Sequence, residues 1–329
     1  MERALVEREG VDFLAIQAGG LHGVGAAKAV KNGLRLALGT RRAFGIVRQF
    51  KPDVVLLTGG FVGVPVSVAA RAQGVPSVVY LPDIEPGSAV KLMTRFATKV
   101  ATTTEASAAF IPKNKMVVTG YPVRQVFAKV GREAARAKYT IGQNEKLLLV
   151  FGGSKGARNI NRALTAQIGD VLKLCKVIHV TGAGDFAEVS AIREGLSAEQ
   201  QARYTVFAYL HEEMAEVMAA ADLAVCRAGA SALGELPYVG LPAVLVPYPY
   251  AWRYQKVNAE YLQTRGAAIM LADGNLNNEQ DGLTAQVSRL LNDTARLSAM
   301  RNAALGLARR DGAMEIARTL AALASGGKE

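Results

Sequence analysis

The residues best suited to chemistry lie between Cys226 and Asn258. An apolar run, Leu223 to Cys226, is followed by the small residues Ala228, Gly229, Ala230 and Ser231, and then by Glu235. Read as strand, turn and helix, the segment leaves backbone N–H groups uncommitted at a helix start, where the macrodipole is positive. An anionic or hydrogen-bonding ligand can approach such a backbone closely. Glu235, one turn into the helix, is placed to accept hydrogen bonds from two neighbouring sugar hydroxyls. A second apolar run, Ala243 to Val246, breaks at Pro247 and Pro249, and the loop returns through Gln255 and Asn258. Ligands of open parallel sheets bind outside the carboxyl ends of the strands, so both loops are predicted to face one crevice. Gly-Ala-Ser turns also serve merely to let a helix pack on its strand, and context has to decide.

A second candidate cradle, Gly152-Gly153-Ser154-Lys155-Gly156, follows the apolar run Leu147 to Phe151. Its glycines admit a phosphate to the backbone, and Ser154 adds a hydroxyl donor. It is neither a Walker loop nor a G-x-G-x-x-G fingerprint.

The elements that position these loops alternate along the chain. Strands are predicted at 11–16, 53–57, 77–80, 99–103 and 116–119, with helices between them and a Gly-rich turn at Thr58 to Gly63. A polar tract follows, and strands resume at 147–151, 177–180, 204–208, 223–226, 243–246 and 268–271. Three helices near 280–291, 294–307 and 312–324 finish the chain. This alternation predicts two Rossmann-like parallel-sheet domains, at residues 1–128 and 146–329, joined by a linker at 129–145. Both cysteines, Cys175 and Cys226, sit in apolar runs without metal-ligand spacing, which points to buried thiols in a reducing compartment. No apolar run approaches the ~20 residues of a membrane span.

Charge is uneven. Residues 1–140 carry 20 Lys and Arg against 9 Asp and Glu, and the remainder carries 19 of each, so the whole excess lies in the first part. Between Asp12 and Asp53 there is no acid, while Lys28, Lys31, Arg35, Arg41 and Arg42 recur along a predicted helix with Leu34, Leu38 and Phe50. A basic helix with exposed leucines is attracted to anionic headgroups, by about 1 kcal/mol per cation near the surface. No aromatic interleaving or reader motif supports nucleic acid as a partner, and an ordinary solvated helix face is the alternative.

Two such domains around a crevice fit a nucleotide-sugar transferase, a dehydrogenase or a periplasmic-type binding protein. The missing dinucleotide fingerprint disfavours the second, and the mixed-charge N-terminus disfavours the third. The ordered series Gly152-Gly153-Ser154-x-Gly156-Ala157-Arg158-x-x-Asn161, Tyr209 to Met214, Ala221-Asp222-Leu223, Cys226-Arg227-x-Gly229-Ala230, Glu235, Gly240-Leu241-Pro242 and Gln255-x-x-Asn258 resembles the MurG family. In the first half, Gly19-Gly20-Leu21-x-Gly23, Lys51-Pro52-Asp53, Gly59-Gly60-Phe61-Val62 and Gly120-x-Pro122-Val123-Arg124 extend the resemblance over essentially the whole chain.

The resemblance implies a GT-B type fold and an inverting, metal-independent transfer of N-acetylglucosamine. The sugar would pass from its UDP donor to a polyprenyl-diphosphate-linked muramyl pentapeptide at the cytoplasmic face of the membrane. It implies no cofactor besides the donor substrate. Ser154 and the Gly153 turn would meet the donor diphosphate, with Arg124 helping from the domain boundary. Leu210 would present backbone groups to the uracil, and Gly229, Ala230 and Ser231 would lie near the base and diphosphate. Glu235 would take the ribose hydroxyls and Gln255 those of the sugar, Asn258 would belong to the donor-binding set, and Gly59 and Gly60 would face the acceptor diphosphate.

The chain also departs from the family. MurG proteins carry a strand and a Gly-Gly-Thr-Gly-Gly-His loop ahead of the segment that Met1 to Val6 matches, so the first domain is expected to be N-terminally truncated. The loop histidine, the family's candidate base, has no counterpart in His22, His179 or His211. The family's His-Glu-Gln-Asn segment is replaced by Leu81-Pro82-Asp83, which leaves Asp83 and Glu85 as candidate substitute bases. A related transferase with another lipid acceptor and a non-catalytic nucleotide-sugar-binding remnant stay open as alternatives.

Overall fold

The computed structural model describes residues 2–17, 26–153, 156–250 and 254–326. Within them, ten strands form two wholly parallel sheets. The first contains β1 (Val55–Leu57), β2 (Ser77–Leu81), β3 (Lys99–Thr102) and β4 (Met116–Val118) in that order. The second contains β5 (Leu147–Phe151), β6 (Lys176–Val180), β7 (Tyr204–Phe207), β8 (Leu223–Cys226), β9 (Ala243–Leu245) and β10 (Ala268–Met270), ordered β10-β9-β8-β5-β6-β7. Unbroken apolar runs such as Leu147 to Val150 and Leu223 to Cys226 are fully buried, as befits strands covered on both faces. One core cluster takes Leu147, Leu149 and Cys226 from the second sheet, and another takes Leu148, Val150 and Val225 from its opposite face.

The predicted strand over 11–16 is absent. These residues lie outside both sheets, with Val11 and Leu14 exposed. A strand-like apolar run becomes a strand only where a neighbour offers backbone partners, and among the described residues none pairs with this one. The segment instead meets the long helix Ala26–Phe50, where a side chain at Gly39 would lie 2.0 Å from the Gln17 carbonyl oxygen. That helix buries Ala43 and Val47 against Ala69 of the helix Gly63–Ala72. Arg35, Arg41 and Arg42 are exposed on it, and Leu38 and Phe50 are 52% and 75% exposed. The helix also carries Lys28 and Lys31, whose side chains fall outside the described residues; the Gly19 to Gly23 motif does as well.

The tract expected to be a linker contains the helix Arg132–Lys138, which packs on the helix Glu213–Ala220 of the second sheet. Asp222 binds Arg132 at 2.6 Å and Arg136 at 3.1 Å, and its Oδ2 accepts from the Leu147 N–H at 2.8 Å. Both guanidinium groups also donate to carbonyls of Ala219, Ala220 and Ala221, the unsatisfied end of the neighbouring helix. Helices Leu283–Asn292 and Thr294–Gly306 cover the second sheet through Val287, Leu290 and Met300. The final helix, Gly312–Ser325, which the sequence groups with that sheet, packs instead on the first, burying Ile316 against Val78, Tyr80 and Ala101.

Candidate active site between the two sheets

The order in which strands are added reverses at β5, whose neighbours are β6 on one side and β8 on the other; such a switch point opens a crevice at the strand ends. Phe151 pairs with Cys226, so Gly152 and Arg227 leave the sheet side by side. The turn beyond β5 has no room for a side chain at Gly152 or at Gly156. A Cβ at Gly152 would lie 2.3 Å from the Gly156 carbonyl carbon, and one at Gly156, where φ is +79°, would lie 2.2 Å from the Thr181 oxygen. Gly156 N–H closes the turn on the Gly153 carbonyl at 2.7 Å. Ser154 and Lys155, between them, are outside the described residues.

A buried polar network supports this turn, and the sequence reading did not find it. Asn161 Nδ2 donates to Thr181 O at 2.9 Å and to Asp185 Oδ2 at 2.8 Å. Its amide hydrogens are thereby used, so Oδ1 accepts from His179 Nε2 at 2.9 Å, and His179 Nδ1 accepts from the Tyr204 hydroxyl at 2.8 Å. Burial lowers the His179 pKa to about 3, which keeps the imidazole neutral and in that tautomer. Asp185 Oδ1 also accepts from Arg158 Nε at 3.0 Å, in the first turn of the helix Arg158–Ala166. A histidine inside the apolar run Val177 to Val180 was the available sign, since a buried imidazole needs partners.

Arg124, Gly152, Gly153, Leu210, Ser231 and Glu235 line a cavity of about 380 Å³. Arg124 donates to the His211 carbonyl at 3.1 Å and stands 3.9 Å from the Glu235 carboxylate. The Glu235 side chain is 16% exposed, and burial raises its pKa while Arg124 opposes the rise. The segment after β8 differs from the single helix expected. Ala230–Leu233 is one 3₁₀ turn, and Glu235 begins a separate helix of 5 residues, Glu235–Val239. Pro237 has no N–H to give the Leu233 carbonyl, so the two pieces cannot join as one α-helix. Little macrodipole gathers there, and hydrogen-bonding groups rather than a helix field are what Gly229, Ala230 and Ser231 offer. Tyr121 packs on the break: a Cβ at Gly234 would lie 2.4 Å from the Tyr121 Cβ.

Across the crevice, the loop after β2 is tied down from its own domain. Thr103 Oγ1 donates to Pro82 O at 2.8 Å and Ser107 Oγ to Ile84 O at 3.0 Å. Burial raises the pKa of Asp83, opposed by a hydrogen bond from Asn258. Glu85, partly buried, follows in the same loop. Gly59 and Gly60, in the left-handed region at φ +108° and +72°, lie at the same edge of the sheet beyond β1. Gln255 Oε1 accepts from the Tyr248 N–H at 2.8 Å. Asn258 is not turned to the cavity: it is fully buried, with its oxygen and its amide group engaged by Ile84, Asp83 and Ala228.

Two parallel-sheet domains with a pocket at the second sheet's switch point make a GT-B type fold, and the family matches make the chain a glycosyltransferase. Residues 147–316 match the glycosyltransferase family 28 C-terminal domain and residues 1–102 its N-terminal domain. The UDP-N-acetylglucosamine--N-acetylmuramyl-(pentapeptide) pyrophosphoryl-undecaprenol N-acetylglucosamine transferase of Roseiflexus sp. is 40% identical, the match covering 98% of this chain and 81% of that one. Its namesake in Symbiobacterium thermophilum is 38% identical over 100% of this chain and 87% of its own. The crystal structure of Acinetobacter baumannii MurG matches with a TM-score of 0.75 at 24% identity, covering 97% of this chain and 87% of that one. The UDP-GlcNAc 2-epimerase of Neisseria meningitidis, bound to UDP-GlcNAc, shares the fold with a TM-score of 0.60 at 16% identity, covering 87% and 81%. The chain belongs to the MurG family of glycosyltransferase family 28.

Proposed function

We propose that the cleft transfers N-acetylglucosamine from UDP-N-acetylglucosamine to a polyprenyl-diphosphate-linked muramyl pentapeptide, with inversion at the anomeric carbon. The acceptor hydroxyl attacks that carbon on the face opposite the nucleotide, its proton passes to a carboxylate, and UDP departs. One observation carries this reading: the glycine turn, Leu210, Ser231, Arg124 and a buried carboxylate meet in a single cavity at the switch point. In this reading the Gly153 turn with Ser154 and Arg124 balances the charge growing on the diphosphate, without a metal ion. Leu210 faces the uracil and Glu235 holds the ribose hydroxyls. Gly229, Ala230 and Ser231 stand near the base and diphosphate, and Gln255 takes hydroxyls of the sugar. Gly59 and Gly60 receive the acceptor diphosphate.

Asp83 is the base we favour over Glu85, because its carboxylate reaches the second domain, 2.8 Å from Asn258 Nδ2. A carboxylate kept above its usual pKa is a stronger proton acceptor while ionised. We further propose that Arg35, Arg41 and Arg42, with Lys28 and Lys31, rest on anionic lipid at the cytoplasmic face, with Leu38 and Phe50 beside them. Among the described residues no helix is long and apolar enough to cross a membrane. The replaced Leu81–Gly87 loop favours one second reading, in which the donor is unchanged and the lipid acceptor differs.

The test is incorporation of labelled sugar from UDP-N-acetylglucosamine into lipid-diphosphate acceptors with and without the muramyl pentapeptide. Transfer to the peptide-bearing acceptor is expected, with UDP-glucose a poor donor. Donor binding without transfer to any lipid diphosphate would sink the proposal.

A further inference from the structure

The acceptor-side domain grips the donor domain at a point outside the donor cavity. Glu105 begins the 3₁₀ turn Glu105–Ala109 that follows β3. Its Oε1 accepts from the Tyr261 hydroxyl at 3.3 Å and from Arg265 Nη2 at 2.9 Å, so two residues of the second domain converge on one oxygen. The Arg265 guanidinium also lies over the Tyr261 ring, 3.7 Å from its centroid, which makes the pair a single unit. Tyr261 is buried, and a buried phenol needs a hydrogen-bond partner. Burial by itself would raise the Glu105 pKa, but hydrogen bonds from its own backbone, Arg265 and Tyr261 bring it below the usual carboxylate range, so the accepting group is ionised at neutral pH. None of Glu105, Tyr261 and Arg265 lines the donor cavity.

Tyr261 stands in the helix Tyr254–Thr264, whose second residue is Gln255. The two are about 9 Å apart along the axis of one helix, so a displacement at Tyr261 is carried to Gln255. On its own side the helix is held by the apolar packing of Ala259 and Leu262, which is non-directional, and Glu105 adds a directional hold from the opposite domain. The same turn fastens the loop after β2 through the Ser107 bond to Ile84 O. We propose that Glu105 is a positioning residue for the donor sugar: by gripping Tyr261 and Arg265 from the acceptor side, it sets Gln255 against the sugar when the domains are closed. The sugar half of the donor is then read by a helix that both domains hold. The inference rests on the reading of Gln255 as the residue that takes the sugar hydroxyls.

The Glu105 side chain is more than half exposed, so substitutions there leave the core intact. In the full chain, Glu105→Arg sets a like charge against Arg265. The KM for UDP-N-acetylglucosamine is expected to rise about fivefold, the scale of a partly exposed ion pair, while kcat and the inhibition constant of UDP stay within about twofold. Glu105→Arg with Arg265→Glu re-forms the pair in reverse and should return KM to within about twofold of the unmodified value. A tie that merely stabilised the fold would lower the melting temperature without dividing the donor KM from the UDP constant. Gln255→Ala separates the inference from the reading beneath it, and its KM should rise at least as much with UDP inhibition unchanged. An unchanged KM in Gln255→Ala would overturn the sugar reading and the inference with it. A raised KM there beside an unchanged KM in Glu105→Arg, or a raised KM that the double exchange fails to restore, would overturn the inference alone.

Discussion

The two sides of the cleft are built differently. The donor side rests on a sheet of 6 strands with apolar clusters on both faces, and its glycine turn sits on a chain of buried hydrogen bonds from Arg158 to Tyr204. The acceptor side rests on 4 strands, and its edge strand β1 leaves Leu56 exposed. A ligand read by backbone groups needs a scaffold that does not yield, since hydrogen bonds weaken steeply with distance and angle. The acceptor loop, by contrast, borrows rigidity from across the cleft through Asn258.

That contrast can be broken most forcefully at Gly156. Gly156→Ala puts a methyl group against the Thr181 carbonyl at a left-handed φ, and should cost about 2–4 kcal/mol and abolish donor binding; a denaturant titration and calorimetry with UDP would show both. Next is Glu235→Ala, which on the proposed reading removes charge-assisted hydrogen bonds to the ribose worth roughly 1.5–3 kcal/mol. Donor KM should rise about 10–100-fold with kcat little changed. Tyr204→Phe leaves His179 Nδ1 buried without its donor. A stability loss of about 1–2 kcal/mol is expected, and a smaller one would mean that the network does not support the turn. The gentlest change is Arg41→Gln with Arg42→Gln: stability should move by less than about 0.5 kcal/mol, while binding to vesicles containing anionic lipid weakens about 30-fold.

Legibility followed the same division. The strands of the second sheet could be placed from sequence because buried parallel strands read as unbroken apolar runs, and the glycine turn because only glycine tolerates those contacts. The segment 11–16 misled, since an apolar run names no pairing partner. The break at Gly234 was written in Pro237 and overlooked beside the attraction of a helix start. The last helix could not be assigned, because an amphipathic stripe says that a helix packs and not on which sheet. Asn258 stood out in the sequence as a ligand residue, but here it is buried against Asp83, 175 positions away, and no local pattern records such a pairing.

The return of the last helix to the first sheet means that the backbone bridges the domains twice, once beyond β4 and once at Arg309 to Gly312, where Gly312 backs directly onto the Tyr121 carbonyl. Twin tethers lying side by side make an axle. They permit the lobes to swing open and shut about one line and resist their twisting apart, and a protease that severed either tether would release neither lobe.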